Sequence, residues 1–149
     1  MKKALLLIIP FLLFGCATQM DALQLRQLET KELEGTLDDA FRATMSVLQD
    51  AGYIIKNSDY QSGVIHAETG KKKDFWTGGT NWFEVTATVE QFTKEIVKER
   101  ITILSKTEMP AGGFGGGGET AVRVENPELI QKLYADIKTE IFRRQNLAK

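Results

Sequence analysis

Cysteine, histidine and proline are all scarce in this chain, which has one, one and three of them in 149 residues. A lone cysteine, Cys16, allows no internal disulfide, so stability has to come from packing. A lone histidine, His66, with no cysteine cluster beside it cannot assemble an ordinary zinc site. Positive charge is not in excess either. The 19 Lys and Arg face 20 Asp and Glu for a net charge of −1, which gives no reason to propose nucleic acid as a partner. No apolar run reaches the roughly 20 residues a membrane-spanning helix needs.

The one greasy run that exists is short and lies at the start. Lys2 and Lys3 precede an apolar stretch from Ala4 to Phe14, the pattern of a secretory signal peptide. It ends in Leu13-Phe14-Gly15-Cys16, which resembles a bacterial lipobox, with the small Gly15 at the cut and Cys16 directly after it. On this reading residues 1–15 are removed and the Cys16 thiol takes a diacylglycerol. The freed amine of Cys16 is then acylated. One acyl chain anchors only marginally, whereas several hold a protein on a membrane for good, at about 0.8 kcal/mol per buried methylene. The covalent lipid on Cys16 is the only added group expected, with no cofactor and no metal. Ala17 follows the cysteine rather than aspartate, which favours the periplasmic face of an outer membrane, or the outer face of the plasma membrane in a cell with one membrane.

Residues 16–24 read as lipidated N-terminus and polar tether, and 25–146 as one domain. "LRQLETKELEG" reads as a strand of imperfect alternation. Thr36 with Asp39 resembles a capping box, and the apolar spacing from Leu37 predicts a helix to Asp50, stopped by Gly52. "YIIKN" and "GVIHAE" around Ser58–Ser62 predict a hairpin. "WFEVTATVEQF" alternates, with Phe83, Val85, Ala87 and Val89 on the core face and Trp82, Glu84, Thr86, Thr88 and Glu90 opposite. "EIVKERITILSK" answers it with Val97, Ile101 and Ile103 inward and a turn near Thr93–Glu95. After "TAVRV", Asn126 and Pro127 open a second helix striped by Leu129/Ile130, Leu133/Tyr134, Ile137 and Ile141. The order β-α-β-β-β-β-β-α predicts an α+β fold, a mainly antiparallel sheet with two helices packed on one face.

Arg26, Gln27 and Thr30, then Leu48-Gln49-Asp50, Gly52-Tyr53, Ser58-Asp59 and Gly63-Val64-Ile65, then Pro127-Glu128-Leu129 and Gln131 form a pattern that resembles a group of small proteobacterial lipoproteins. Lys31 stands where that group has arginine, and Asn126 where it has aspartate. The block around 48–65 is also similar to the repeated domain of BamC, a lipoprotein of the outer-membrane β-barrel assembly machine. That resemblance implies a helix-grip fold; it implies no activity, since fold alone does not assign function.

Motifs for chemistry fare poorly. "GGFGGGGE" contains G-x-G-x-x-G at Gly113, Gly115 and Gly118, but it leads into a strand, whereas a dinucleotide site needs the glycines to open a helix. No nucleophile motif frames Ser58, Asp59 or Ser62 for a triad with His66. The chain is therefore expected not to be an enzyme. "GKKKDFWTGGTNWF" is the more informative stretch. Lys71, Lys72 and Lys73 beside Phe75 and Trp76 suit an anionic membrane surface or a protein partner, unless the aromatics fold back over the core. With Phe114 at the tip of the glycine loop, these are the candidate contact residues. The expected function is a membrane-anchored interaction or scaffolding module of the cell envelope, with an unidentified envelope protein as partner. The alternative is a binder of lipid or another apolar ligand in a cavity between helix and sheet.

Overall fold

The computed structural model of the protein describes residues 20–111 and 117–147. Asp21 caps the first helix, α1 (Ala22–Glu29), through its Oδ1, which accepts from the backbone N–H of Leu23 and Gln24 at 2.8 Å each. The Gln24 side chain answers by accepting from the Asp21 N–H at 3.3 Å, completing a capping box. The strand expected over "LRQLETKELEG" is thus helix in its first half, and only its second half, β1 (Thr30–Glu34), is extended. Its imperfect alternation has a physical cause: Leu25 and Leu28 follow helical spacing.

From there the expected order holds apart from one added two-residue strand, Lys72–Lys73, in the stretch expected to be a loop. Thr36 Oγ1 accepts from Asp39 N at 3.2 Å to open α2 (Leu37–Asp50). Gly52, at φ +87°, ends it. β2 (Tyr53–Asp59) and β3 (Val64–Thr69) form the first hairpin, and a short β4 (Lys72–Lys73) precedes β5 (Thr80–Gln91). β6 (Ile96–Met109) and β7 (Gly118–Arg123) follow, and α3 (Pro127–Leu147) closes the chain, with Asn126 Oδ1 accepting from Leu129 N at 3.2 Å.

The protein is α+β. The sheet runs β1-β6-β5-β3-β2, with β4 on β5 and β7 on β6, and every pairing among the described residues is antiparallel. β1 pairs with the first part of β6 (Thr30 opposite Arg100) and β7 with its last part (Leu104 opposite Arg123), so the two share one edge with a gap between them.

α2 and α3 cover one face. Phe41, Val47 and Leu48 from α2 and Ile130, Leu133, Ile137 and Ile141 from α3 pack on Ile65, Val85, Val89, Val97, Ile101 and Ile103. Each such side chain contributes roughly 1.5–3 kcal/mol on burial. Phe83 departs from expectation. It keeps the parity of Val85 but is 42% exposed, because it lies near the start of β5, outside the cluster the two helices cover.

Alternation also sends a carboxylate inward. Glu99 lies between Val97 and Ile101 and is fully buried. Thr44 Oγ1 sits 2.8 Å from both Ala40 O and Glu99 Oε1. A hydroxyl has one proton and the carbonyl can only accept, so the geometry suits a neutral Glu99 donating to Thr44. Burial accordingly pushes the Glu99 carboxyl up to about 8; only a Thr44 hydroxyl turned to donate to the ionised carboxylate would oppose the rise. Nearby, the Tyr134 hydroxyl of α3 lies 2.5 Å from Glu29 O and 3.1 Å from Glu99 O, joining that helix to the end of α1 and to β6.

Candidate interaction surface at one end of the sheet

The stretch 70–79 is a built turn. Lys72 and Lys73 pair with Asn81 and Thr80 of β5. Asp74 N donates to Gly79 O at 2.7 Å and Gly78 N donates to Asp74 O at 2.9 Å. Asp74 Oδ1 accepts from the N–H of Trp76 at 2.8 Å and of Thr77 at 3.2 Å. The N–H groups of Thr77 and Trp76 hold that carboxyl below the usual carboxylate range. The turn therefore stays ionised and hydrogen-bonded at any physiological pH.

What the turn displays is aromatic. Phe75 and Trp76 are each 91% exposed and meet edge to face, with centroids 5.7 Å apart at 84°. Trp82 behaves oppositely. It is 6% exposed, with Lys71 Nζ 4.2 Å from its ring centre and Lys106 in register across the ladder. The three aromatics of this stretch thus divide: Trp82 folds back onto the sheet, and Phe75 and Trp76 project from it. Lys71 is further tied to Glu108 at 3.6 Å, while Lys72 and Lys73 are exposed.

A second loop arrives at the same place. A Cβ on Gly79 would lie 3.0 Å from Met109 Sδ, and one on Gly78 would lie 3.6 Å from Pro110 Cγ, so the turn rests on the start of the β6–β7 connection. Phe114 of that connection, like Cys16, lies outside the described residues. The candidate contacts Lys71, Lys72, Lys73, Phe75 and Trp76 gather at one end of the sheet, with the half-exposed Met109 beside them.

No family model matches the chain, and no curated protein matches it.

The motifs set aside on sequence grounds have structural positions as well. His66 Nδ1 lies 3.4 Å from Thr86 Oγ1 and 3.9 Å from Glu84 on the sheet's uncovered face, without a serine partner. Among the described residues no group of three or more His, Cys, Asp or Glu side chains is placed to hold a metal.

One buried cluster went unforeseen. Glu29, at the end of α1, fills the gap between β1 and β7. Its carboxylate takes both arms of Arg123, Oε1 from Nε at 2.7 Å and Oε2 from Nη2. Arg100 approaches at 3.4 Å and Thr102 at 3.3 Å. A bidentate arginine of this kind satisfies a carboxylate that burial would otherwise penalise. Glu99 was legible, since strict alternation from Val97 to Ile101 puts it inward. Glu29 was not, because it sits in a segment read with the wrong period.

Proposed function

We propose that the chain is a membrane-tethered, non-enzymatic interaction module of the bacterial cell envelope, anchored by lipid on Cys16 and engaging an envelope protein through the Phe75–Trp76 end of its sheet. The observation that carries this reading is the pair of adjacent aromatic rings, each 91% exposed, on a turn whose backbone is hydrogen-bonded into one shape. Large aromatic surface left in water and held rigid costs little entropy to dock, which is why such residues concentrate binding energy. The flanking lysines favour an acidic rim on the partner. The tether side of the reading rests on the signal-like segment ending at Cys16. From Cys16 to the cap Asp21 is a reach of at most about 18 Å, which keeps the domain close to the bilayer.

The alternative of an apolar ligand between helix and sheet has less support. Those inward positions are occupied by Ile65, Val85, Ile101, Ile103, Ile130 and Ile137, all fully buried against one another. A groove of about 560 Å³ lies instead on the uncovered face, lined by Leu23 and by polar and charged side chains including Arg26, Gln27, Glu90, Lys98 and Arg100.

In-cell photocrosslinking from position 76, read by mass spectrometry, tests the contact. One dominant protein adduct is expected, diminished in a Cys16→Ser chain that leaves the membrane fraction. Adducts to lipid alone, or none, would remove the aromatic turn as a protein-binding site. Retention of Cys16→Ser in membranes would remove the anchor.

A further inference from the structure

The sheet's edges are protected to different degrees. β2 carries a register shift between Ile55 and Asn57, with Lys56 at the shift, and β1 presents Lys31, Glu32 and Glu34. Bulges and charges of this kind keep an edge from pairing with another chain. β7 has neither a bulge, a lysine nor a proline, and it is exposed from Gly118 to Val122. Its two charged side chains lean onto the uncovered face, where Glu119 accepts from Lys106 at 2.8 Å and Arg123 grips Glu29. Val122, on the opposite face, is 65% exposed.

The backbone polarity of this edge can be read from its end. Val124 N donates to Ile103 O at 2.9 Å, so alternation turns the N–H and C=O groups of Glu119, Ala121 and Arg123 away from β6. We propose that these groups receive β7 of a second copy of this chain, antiparallel, with Ala121 opposite Ala121 on a twofold axis.

In that register Glu119 of each copy faces Arg123 of the other, and Thr120 faces Val122. All three outward residues fall in hydrogen-bonded pairs, two bonds to a pair. Neighbouring registers are worse. A two-residue slip one way sets Glu119 against Glu125, two like charges directly opposite, and the other way sets Arg123 against Gly117 with no partner charge. The small Ala121 lets the strands close on the axis, and Val122 loses exposed apolar surface against the Thr120 methyl.

The axis also suits the anchored state proposed above. A twofold between antiparallel strands is perpendicular to the sheet, so both copies turn the same face the same way. α1 places Leu23, Arg26 and Gln27 over that uncovered face, so both chains enter their domains from one side, as two molecules in one membrane must. A ladder this short is weak in dilute solution, and confinement to a membrane supplies the high effective concentration it needs.

Site-specific cross-linking reads the register directly. The full-length chain would be expressed in cells with one added cysteine, and membranes treated with a short thiol-to-thiol cross-linker. Ala121→Cys is expected to give a covalent dimer, and Thr120→Cys or Val122→Cys alone at least about tenfold less, since neither faces itself across the axis. Co-expressed, Thr120→Cys and Val122→Cys should join to each other. The wild-type chain, with Cys16 its one thiol, sets the background, and any dimer it forms reports on Cys16 rather than on β7. Adding Glu119→Arg to Ala121→Cys sets arginine against Arg123 and should cut the yield several-fold. No dimer from Ala121→Cys, equal yields at 120, 121 and 122, or indifference to Glu119→Arg would overturn the proposal.

Discussion

Glu99 carries the sharpest consequence at the scale of single residues. Its carboxyl holds its proton up to about pH 8 in the folded chain, against an ordinary value of 4.5 once unfolded. Between those limits the native state keeps a proton the unfolded state has released. This group therefore lowers stability steadily as pH rises from about 4.5 to 8, and has no further effect outside that window. Glu99→Gln removes the titration and keeps the shape. It should stabilise the chain by roughly 4 kcal/mol more at pH 7.5 than at pH 4, read from paired urea titrations. A gain that does not depend on pH would contradict the buried neutral acid. Tyr134 acts in the same neighbourhood. Its one hydroxyl proton goes to Glu29 O at 2.5 Å, with Glu99 O the more distant acceptor at 3.1 Å, and Tyr134→Phe should cost about 1–2 kcal/mol by calorimetry, with the fold unchanged.

At the scale of elements, the β2–β3 hairpin depends on one glycine. Gly63 sits at φ +68°, and a Cβ there would fall 2.0 Å from Val89 O, while its own carbonyl accepts from Val89 N at 2.8 Å. Gly63→Ala combines a left-handed residue with a backbone collision, and a loss of about 2 kcal/mol or more is expected in the urea midpoint. Gly52→Ala, with nothing within 4 Å of its Cβ, meets only the first of these and should cost less. These elements were legible because their signals are local. Thr36, Gly52, Asn126 and Pro127 mark helix ends by their own chemistry, and period-2 runs mark strands. α1 was misread because a short helix with few apolar positions offers too few turns for its period to outvote a strand. The Asp21–Gln24 capping box was the signal that would have found it.

For the whole molecule, the aromatic turn makes a separable prediction. Phe75→Ala with Trp76→Ala removes rings that touch almost nothing of the fold, so the melting temperature should move by no more than about 1 °C. Capture of the proposed envelope partner should be lost in the same variant. A large drop in melting temperature would show instead that the rings belong to the core. The sequence alone determined the α+β class, the two long helices, which strands pair as hairpins, and the candidate residues of the turn, because spacing and capping are properties of neighbouring residues. Which of those aromatics stay in water was decided only by tertiary structure. Trp82 finds Lys71 over its ring while Phe75 and Trp76 meet each other, though all three lie in one short stretch. The same holds for the meeting of Gly79 with Met109, for Glu29 in the gap between β1 and β7, and for the open edge of β7. Each depends on strand register, which joins residues far apart along the chain and leaves no local pattern from which to read it.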